Sequence, residues 1–276
     1  MKKIVFPTDF SEASINAFIY ALKLADSIKG EIITLHVYDL PQVGYSNVPG
    51  VLNEIYDLIE LGSFENYKDQ VPFLRRIAEQ NNMEHIKISN VLDTGNLINR
   101  IIKIVEDEAI DYVVMGTKGA TSLTETFLGT ATTKVMNSTT AVVFAIPENC
   151  KYKQIKKILF LTKYNFEDIK VLKKVIEFAA VFEAHIDCLH IKSPHQKDND
   201  TFKEEWQKIA KDQDITLHTI SNDDVESIIL EFIDLNKIDM ITMHVYHKNF
   251  FKKLFQVSLS KKLAFHVNIP ILAIPE

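Results

Sequence analysis

Glycine is missing from the second half of this 276-residue chain: all eight glycines lie between Gly30 and Gly129. A segment without glycine has no residue that can bare its backbone to a bulky ligand or turn through left-handed conformations at no steric cost. Cysteine is also scarce. Cys150 and Cys188 are the only two, with no C-x-x-C spacing, which excludes a disulfide framework and a dithiol redox motif. No apolar run approaches the roughly 20 residues of a membrane span, and Lys2-Lys3 lead into Asp9, Ser11 and Glu12 rather than into a signal-peptide core. Positive charge is in deficit as well. The formal net charge is −6, and the lysine clusters, at 151 to 157 and at Lys252-Lys253, are short. Phosphate neutralisation needs clustered Lys and Arg, so nucleic acid is not an expected partner, nor is a membrane. A cytoplasmic location is expected.

What the chain does have is an internal copy. Lys2 to Asp9, reading KKIVFPTD, aligns with Lys156 to Lys163, reading KKILFLTK, at an offset of 154 that also carries Leu35-His36-Val37 onto Leu189-His190-Ile191. Ile110 to Met115 aligns with Ile238 to Met243 at an offset of 128, and Pro147 falls on Pro275 at the same offset. The difference, 26 residues, is an insertion in the first copy between Asp39 and Gly95. Pro41 to Gly62, with two prolines and three glycines, is its natural place. Copies this long each bury their own core, so the repeat is a duplicated domain rather than a solenoid unit. The expected domains are residues 1–148 and 149–276. A hydrophobic share of 46% with 25% charged residues suits an ordered globular chain.

Each copy alternates short β-branched runs with longer helical patterns. In the first, the strand-like runs are Lys3 to Phe6, Ile32 to Val37, Ile86 to Leu92, Tyr112 to Met115 and Ala141 to Ile146. Ile15, Phe18, Ile19, Leu22 and Ala25 form a helical stripe after the cap candidate Ser11, and Leu97, Ile101, Ile104 and Val105 form another opened by Asp93 and Thr94. Strand and helix in regular succession imply right-handed crossovers onto a parallel sheet. The fold class is therefore α/β, with two tandem doubly wound domains, each a five-stranded parallel sheet with helices on both faces. The last strands, Ala141 to Ile146 and Ile271 to Ile274, are apolar edges that can pair with each other.

Ligands of such sheets sit beyond the carboxyl ends of the strands, where strand order reverses. Pro7, Thr8 and Asp9 follow the first strand, Val37 closes the second, and Gly116 to Gly119 follow the fourth. Gly116, Gly119 and Gly129 are set out as G-x-x-G, nine residues, then G-T ending at Thr130. Glycines there let the main chain approach an anion with its amides, while the threonine hydroxyl adds a donor for phosphate or metal-bound water. The pattern is neither a Walker A loop nor the Rossmann fingerprint, which follows the first strand.

With Ile4 to Ser11, Ala141 to Pro147 and this glycine spacing, the chain resembles a tandem universal stress protein. The resemblance covers nearly the whole chain, twice. It implies ATP, with Mg2+, as the ligand: Thr8 and Asp9 on the nucleoside side, the main chain of Val37 at the adenine, and Gly116, Gly119, Gly129 and Thr130 on ribose and phosphates. The candidate site is thus Pro7, Thr8, Asp9, Val37, Met115, Gly116, Thr117, Lys118, Gly119, Gly129, Thr130 and Ala131. Family members commonly dimerise through the last strand, so the resemblance also implies a dimer fused into one polypeptide, an intramolecular pseudo-dimer open to further homo-oligomerisation.

The second copy departs from this pattern. Asp9 becomes Lys163, Gly116 becomes His244, Gly119 becomes His247 and Gly129 becomes Val257, while Thr162 and Ser258 are retained. It is not expected to bind ATP in the same manner. His244 and His247 leave open a zinc site or, with Lys163, a pocket for another anion, and His36 and His190 read as core or crevice-edge residues. The leading functional expectation is an ATP-responsive regulatory protein of the stress response with an unidentified protein partner. Alternatives are a slow ATPase or self-phosphorylating enzyme, with Thr130, Thr132 or Ser138 as acceptors, and a nucleotide-independent interaction protein using the insertion. The insertion, with Tyr45, Tyr56 and Phe64, is read as a lid over the nucleotide or else a surface loop.

Overall fold

The computed structural model describes residues 1–38, 49–117, 129–194, 203–245 and 268–275. In the first half the elements are β1 (Lys3–Pro7), α1 (Glu12–Ile28), β2 (Glu31–Tyr38), α2 (Pro49–Gln80), β3 (Ile88–Thr94), α3 (Leu97–Asp107), β4 (Tyr112–Gly116), α4 (Thr130–Ser138) and β5 (Val142–Ile146). The second half follows with β6 (Lys157–Leu161), α5 (Phe166–Phe182), β7 (His185–Lys192), α6 (Lys203–Lys211), β8 (Ile215–Ser221), α7 (Val225–Asn236), β9 (Met240–His244) and β10 (Ile271–Ile274).

The strands form a single sheet of order β3-β2-β1-β4-β5-β10-β9-β6-β7-β8. Every neighbouring pair is parallel except β5 and β10, which join the halves antiparallel with Phe144 opposite Leu272 and Ala145 opposite Ile271. The two apolar edges therefore close on each other. Helices cover both faces, so successive residues of one strand enter different cores. Ile4 and Phe6 belong to the core that α1, α2, α5 and α6 cover, while Val5 between them belongs to the core that α3, α4 and α7 cover. At the seam, Phe144 sits edge-on to both Tyr20 of α1 and Phe178 of α5, at 5.8 and 5.9 Å between ring centroids.

The copies agree even in backbone conformations that L-residues rarely adopt. Phe10 and Tyr164, Lys29 and Glu183, and Ala109 and Lys237 all have φ between 49° and 59°, and they match at the offsets of 154 and 128. Lys29 and Glu183 end α1 and α5 in left-handed caps, each followed by an N–H that reaches back five residues, Gly30 to Ala25 and Ala184 to Ala179. The ladders shift slightly between: Ile32 faces Ile88 while Ile186 faces Ile215, an offset of 127 at β3 and β8, so one residue of difference is restored in the turn after the strand.

Two sequence expectations are corrected. Asp93 and Thr94 do not open α3; they finish β3 opposite Val37 and Tyr38, Gly95 turns the chain at φ 108°, and Asn96 caps the helix. The insertion is not a turn-rich loop throughout, because α2 begins at Pro49 and runs through Gly50 and Gly62. Proline is tolerated in a first helical turn, and a glycine in a helix costs only about 1 kcal/mol, which the burial of Leu74, Ile77 and Ala78 outweighs. Phe64 is 53% exposed on this helix. Tyr45 and the side chain of Tyr56 lie outside the described residues.

Candidate functional site

β1 lies between β2 and β4, the point where strand order reverses, and it ends early. Pro7 faces Leu35, after which β2 runs on through His36, Val37 and Tyr38 against β3 alone. Leu35 gives its carbonyl to the Thr8 N–H at 2.9 Å, so its main-chain polar groups face the β1 side. The strand repeats every two residues, so the N–H and C=O of Val37 face the same way, over the step where β1 has stopped. Tyr38 agrees, giving its carbonyl to Gly95 on the opposite side. The crevice thus has a main-chain donor and acceptor on one wall.

The floor is the turn after β1. The buried Thr8 hydroxyl is shared with Ser14 Oγ at 2.7 Å and accepts the Phe10 N–H at 3.0 Å, so it shapes the turn. Asp9 is exposed, and its carboxylate accepts from the N–H and hydroxyl of Ser11, the N-cap of α1. His36 Nδ1 donates to the Thr8 carbonyl at 2.7 Å, and its ring joins Phe10 and Tyr67, the latter on α2, in a three-ring cluster with centroids 5.1 to 6.1 Å apart. His36 is partly buried, within the sequence reading of it as a core or crevice-edge residue.

The opposite wall is built by the glycine motif. Gly116 ends β4, Thr117 N–H donates to the Ile146 carbonyl, and the Thr117 carbonyl accepts from Gly129 N–H at 2.6 Å. Thr132 Oγ donates to the Gly116 carbonyl at 3.0 Å. These bonds draw the two ends of the motif together. Lys118 and Gly119 lie outside the described residues. Gly129 caps α4 with no side-chain acceptor, and the first helical bond is from Thr133 to Gly129, so the N–H groups of Thr130, Ala131 and Thr132 have no acceptor within the helix. Thr130 is exposed and Ala131 partly so, whereas Thr132 is buried, which removes it as a phosphate acceptor. Met115 and Pro7 are buried and act as framework. Sequence reasoning missed Ser14 and the structural role of Thr132; the signal for Ser14 is its replacement by Asp168 in the copy.

The second half keeps the frame and fills the space. Thr162 N–H donates to Leu189, Tyr164 N–H to Thr162 Oγ, and His190 Nδ1 to the Thr162 carbonyl, each as in the first half. Asp168 stands in the place of Ser14 and accepts from the Thr162 hydroxyl and the Lys163 N–H at 2.8 and 2.7 Å. His244, in the place of Gly116, sets Nδ1 3.4 Å from the other oxygen of Asp168, with both side chains almost wholly buried.

A groove of about 530 Å3 between α3 and the outer face of β2 and β3 contains none of the motif residues. Comparison with known proteins bears on the crevice instead. The family model described as the universal stress protein family matches residues 1–147. The chain belongs to this family. A curated universal stress protein of Methanocaldococcus jannaschii is 29% identical over 154 residues, spanning 52% of this chain and 94% of the relative. Among solved structures, a universal stress protein from Archaeoglobus fulgidus shares the fold over 99% of this chain and 96% of its own, with a TM-score of 0.72 at 18% identity. One from Pseudomonas aeruginosa does so over 100% and 93%, with a TM-score of 0.64 at 10% identity. Both alignments extend through the second half, so the same fold continues beyond the family match. No helix among the described residues is long and apolar enough to cross a membrane.

Proposed function

We propose that residues 1–148 form a domain that binds an adenine nucleotide, ATP with Mg2+, between the carboxyl ends of β1, β2 and β4, and that residues 149–276 form a domain that does not bind it in the same manner. The observation that carries this reading is the opening turn of α4. Three amides without helical acceptors stand beside a Gly116 carbonyl tied down by Thr132, behind a residue, Gly129, that brings no side chain. Such an end is a ready anion site, because its N–H groups and the helix dipole both favour negative charge. Val37 supplies the main-chain donor and acceptor for a base, Thr130 and Ala131 the amides for phosphate, and Lys118 the counter-charge. A bound Mg2+ would screen the phosphate oxygens, with Asp9 at the crevice edge. In the second half the Asp168–His244 pair occupies the corresponding floor, which supports single-site binding.

The chain then acts as a cytoplasmic regulatory protein of the stress response, in which nucleotide holds the crevice closed and alters a surface read by a protein partner. The test is native mass spectrometry of the freshly purified chain, with acid extraction of released small molecules, beside a Gly116→His, Gly119→His variant. One ATP per chain, lost in the variant, is the expected result. Absence of nucleotide in the natural chain even with excess ATP and magnesium would overturn the reading. A second ATP retained by the variant would overturn single-site binding.

A further inference from the structure

α2 runs antiparallel to β2 and β3. Arg75 Nη2 donates to the Ile88 carbonyl at 2.8 Å, at the start of β3, while the Tyr67 ring stacks on His36, near the end of β2, with centroids 6.0 Å apart. From Tyr67 to Arg75 the helix rises about 12 Å, and from Ile32, the ladder partner of Ile88, to His36 the strand rises about 13 Å, so helix and sheet keep step. Residues before Tyr67 therefore pass the carboxyl ends of the strands. β2 ends at Tyr38, about 7 Å beyond His36, whereas Leu58 stands about 13 Å beyond Tyr67. This end of α2 projects on the side of the molecule where the proposed nucleotide crevice opens.

The projecting end is apolar on its solvent side. Leu58, Leu61 and Phe64 are 69%, 56% and 53% exposed, and they are three of the five most exposed large apolar side chains among the described residues. Recurring every three residues, they make one ridge along the helix. Leu58 lies nine residues, or about two and a half turns, before the buried Tyr67, so the ridge starts on the side opposite the core. Glu60 and Glu65 stand exposed beside it. The charge around them is of one sign: between Lys29 and Lys68 the chain has no Lys or Arg, against Glu31, Asp39, Glu54, Asp57, Glu60 and Glu65.

We propose that Leu58, Leu61 and Phe64 are the docking ridge for a protein partner that presents an apolar strip rimmed by Lys and Arg. This deepens the reading of the chain as a protein read by a partner and rests on that part of it. An amphipathic helix laid against a complementary apolar strip is a common recognition mode, with anchors three or four residues apart. Here the carboxylates beside the anchors select the sign of the rim. The same carboxylates disfavour two other occupants. A second copy packed ridge to ridge would bring Glu60 and Glu65 against their own counterparts, and an anionic lipid surface would repel them. The ridge belongs to the insertion that the second copy lacks, so it marks one half of the molecule only.

The experiment measures fluorescence anisotropy of a labelled synthetic peptide built of Leu and Lys, ordered so that its helix has one apolar face rimmed by lysine, titrated with the full chain in the absence of nucleotide. A Leu and Glu peptide of the same order is the control. One Leu and Lys peptide per chain is expected, with little binding of the other. The triple variant Leu58→Ser, Leu61→Ser, Phe64→Ser should weaken binding about tenfold or more at unchanged net charge. Glu60→Gln with Glu65→Gln should weaken it severalfold and reduce its salt dependence, while Leu235→Ser, an equally exposed leucine of the second half, should leave it unchanged. Thermal melting by circular dichroism checks that each variant is folded. Failure of the natural chain to bind the Leu and Lys peptide overturns the proposal, and so does undiminished binding by the folded triple variant or equal binding of both peptides. Self-association of the natural chain in sedimentation, lost in the triple variant, would assign the ridge to a second copy, and adsorption to phosphatidylcholine vesicles lost in that variant would assign it to lipid; either overturns it. ATP binding is followed separately by equilibrium dialysis. A chain that takes up no ATP yet docks the peptide through the ridge would sink the nucleotide reading alone.

Discussion

The second half offers a substitution experiment for the crevice of the first. Ser14 and Gly116 correspond to Asp168 and His244, and the exchange Ser14→Asp, Gly116→His should convert the first site to the closed form of the second. Histidine at 116 needs no left-handed backbone, because Gly95 is the only glycine with positive φ among the described residues. Alone, it buries an imidazole with only a serine near its position, which costs about 1–3 kcal/mol for an unsatisfied buried polar group. Ser14→Asp alone places a carboxylate at a site 6% exposed, with the Thr8 hydroxyl but no imidazole to meet it, and costs on the order of 3 kcal/mol. Together they rebuild the pair seen at 3.4 Å between His244 and Asp168. The double variant should therefore be more stable than the sum of the single losses by about 1–3 kcal/mol. Urea unfolding of the four proteins at one pH measures this coupling, and equilibrium dialysis measures ATP. Additive losses would refute the equivalence of the two pairs. ATP bound by the folded double variant as well as by the natural chain would refute the claim that the pair closes the crevice.

Other outcomes can be stated more briefly. Phe144→Ala removes a ring 1% exposed that joins β5 to both halves, and should lower stability by about 3–5 kcal/mol in urea unfolding; a loss below 1 kcal/mol would deny the seam its role. Burial pushes the thiols of Cys150 and Cys188 up, Cys188 further because it is more deeply buried, with the neighbouring Asp187 charge adding to it. Neither thiol should react with an aromatic disulfide reagent at pH 8 until the chain is unfolded, and rapid reaction of native protein would contradict this packing. Burial also raises the phenols of Tyr20, Tyr112, Tyr152 and Tyr164 above their ordinary value of 10.0. Because the folded values exceed the unfolded ones, their stabilising contribution is complete below about pH 10 and is lost as pH rises through the folded values. The urea midpoint should fall between pH 9 and 11, and a flat midpoint would contradict it.

The framework was legible in the sequence because it is written twice. Two fixed offsets located the copies, and the apolar runs of β1, β2 and β4 are buried on both faces, so each reads as a strand without help from its partner. The glycine spacing pointed to the end of β4 and the start of α4, where Gly116 and Gly129 stand in place of the copy's His244 and Val257. The insertion was misread because proline and glycine act as turn signals only when local preference governs. In α2 the burial of Leu74 and Ile77 against α1 and β3 governs instead. The cap of α3 was missed for a related reason: Asp93 and Thr94 are good capping residues, but the ladder with β2 holds them in a strand. Ser14 and Thr132 were hidden because their work is a single hydrogen bond across the fold, which leaves no periodicity to find.

Duplication explains why the halves were free to diverge. A five-stranded unit ends in an apolar last strand that invites a second copy. Here β5 and β10 meet that need within one chain, through Phe144 opposite Leu272, and this interface uses apolar framework positions in both halves. The crevices and the outer faces of β3 and β8 take no part in it. Once fused, each half could change its own crevice without disturbing the pairing, because Gly116 and His244 both end strands whose ladders with β5 and β10 stay in equivalent register, Gly116 on Ile146 and His244 on Ile274. The outermost strands now carry the exposed polar residues that an edge requires, Ser89 and Asn90 on one side and Thr216 and Thr219 on the other. A single-domain subunit in a symmetric dimer has no such latitude, since every substitution there appears in both crevices at once. One polypeptide holding an open crevice beside a filled one is thus a consequence of the seam, and the asymmetry in glycine between the halves is its trace in the sequence.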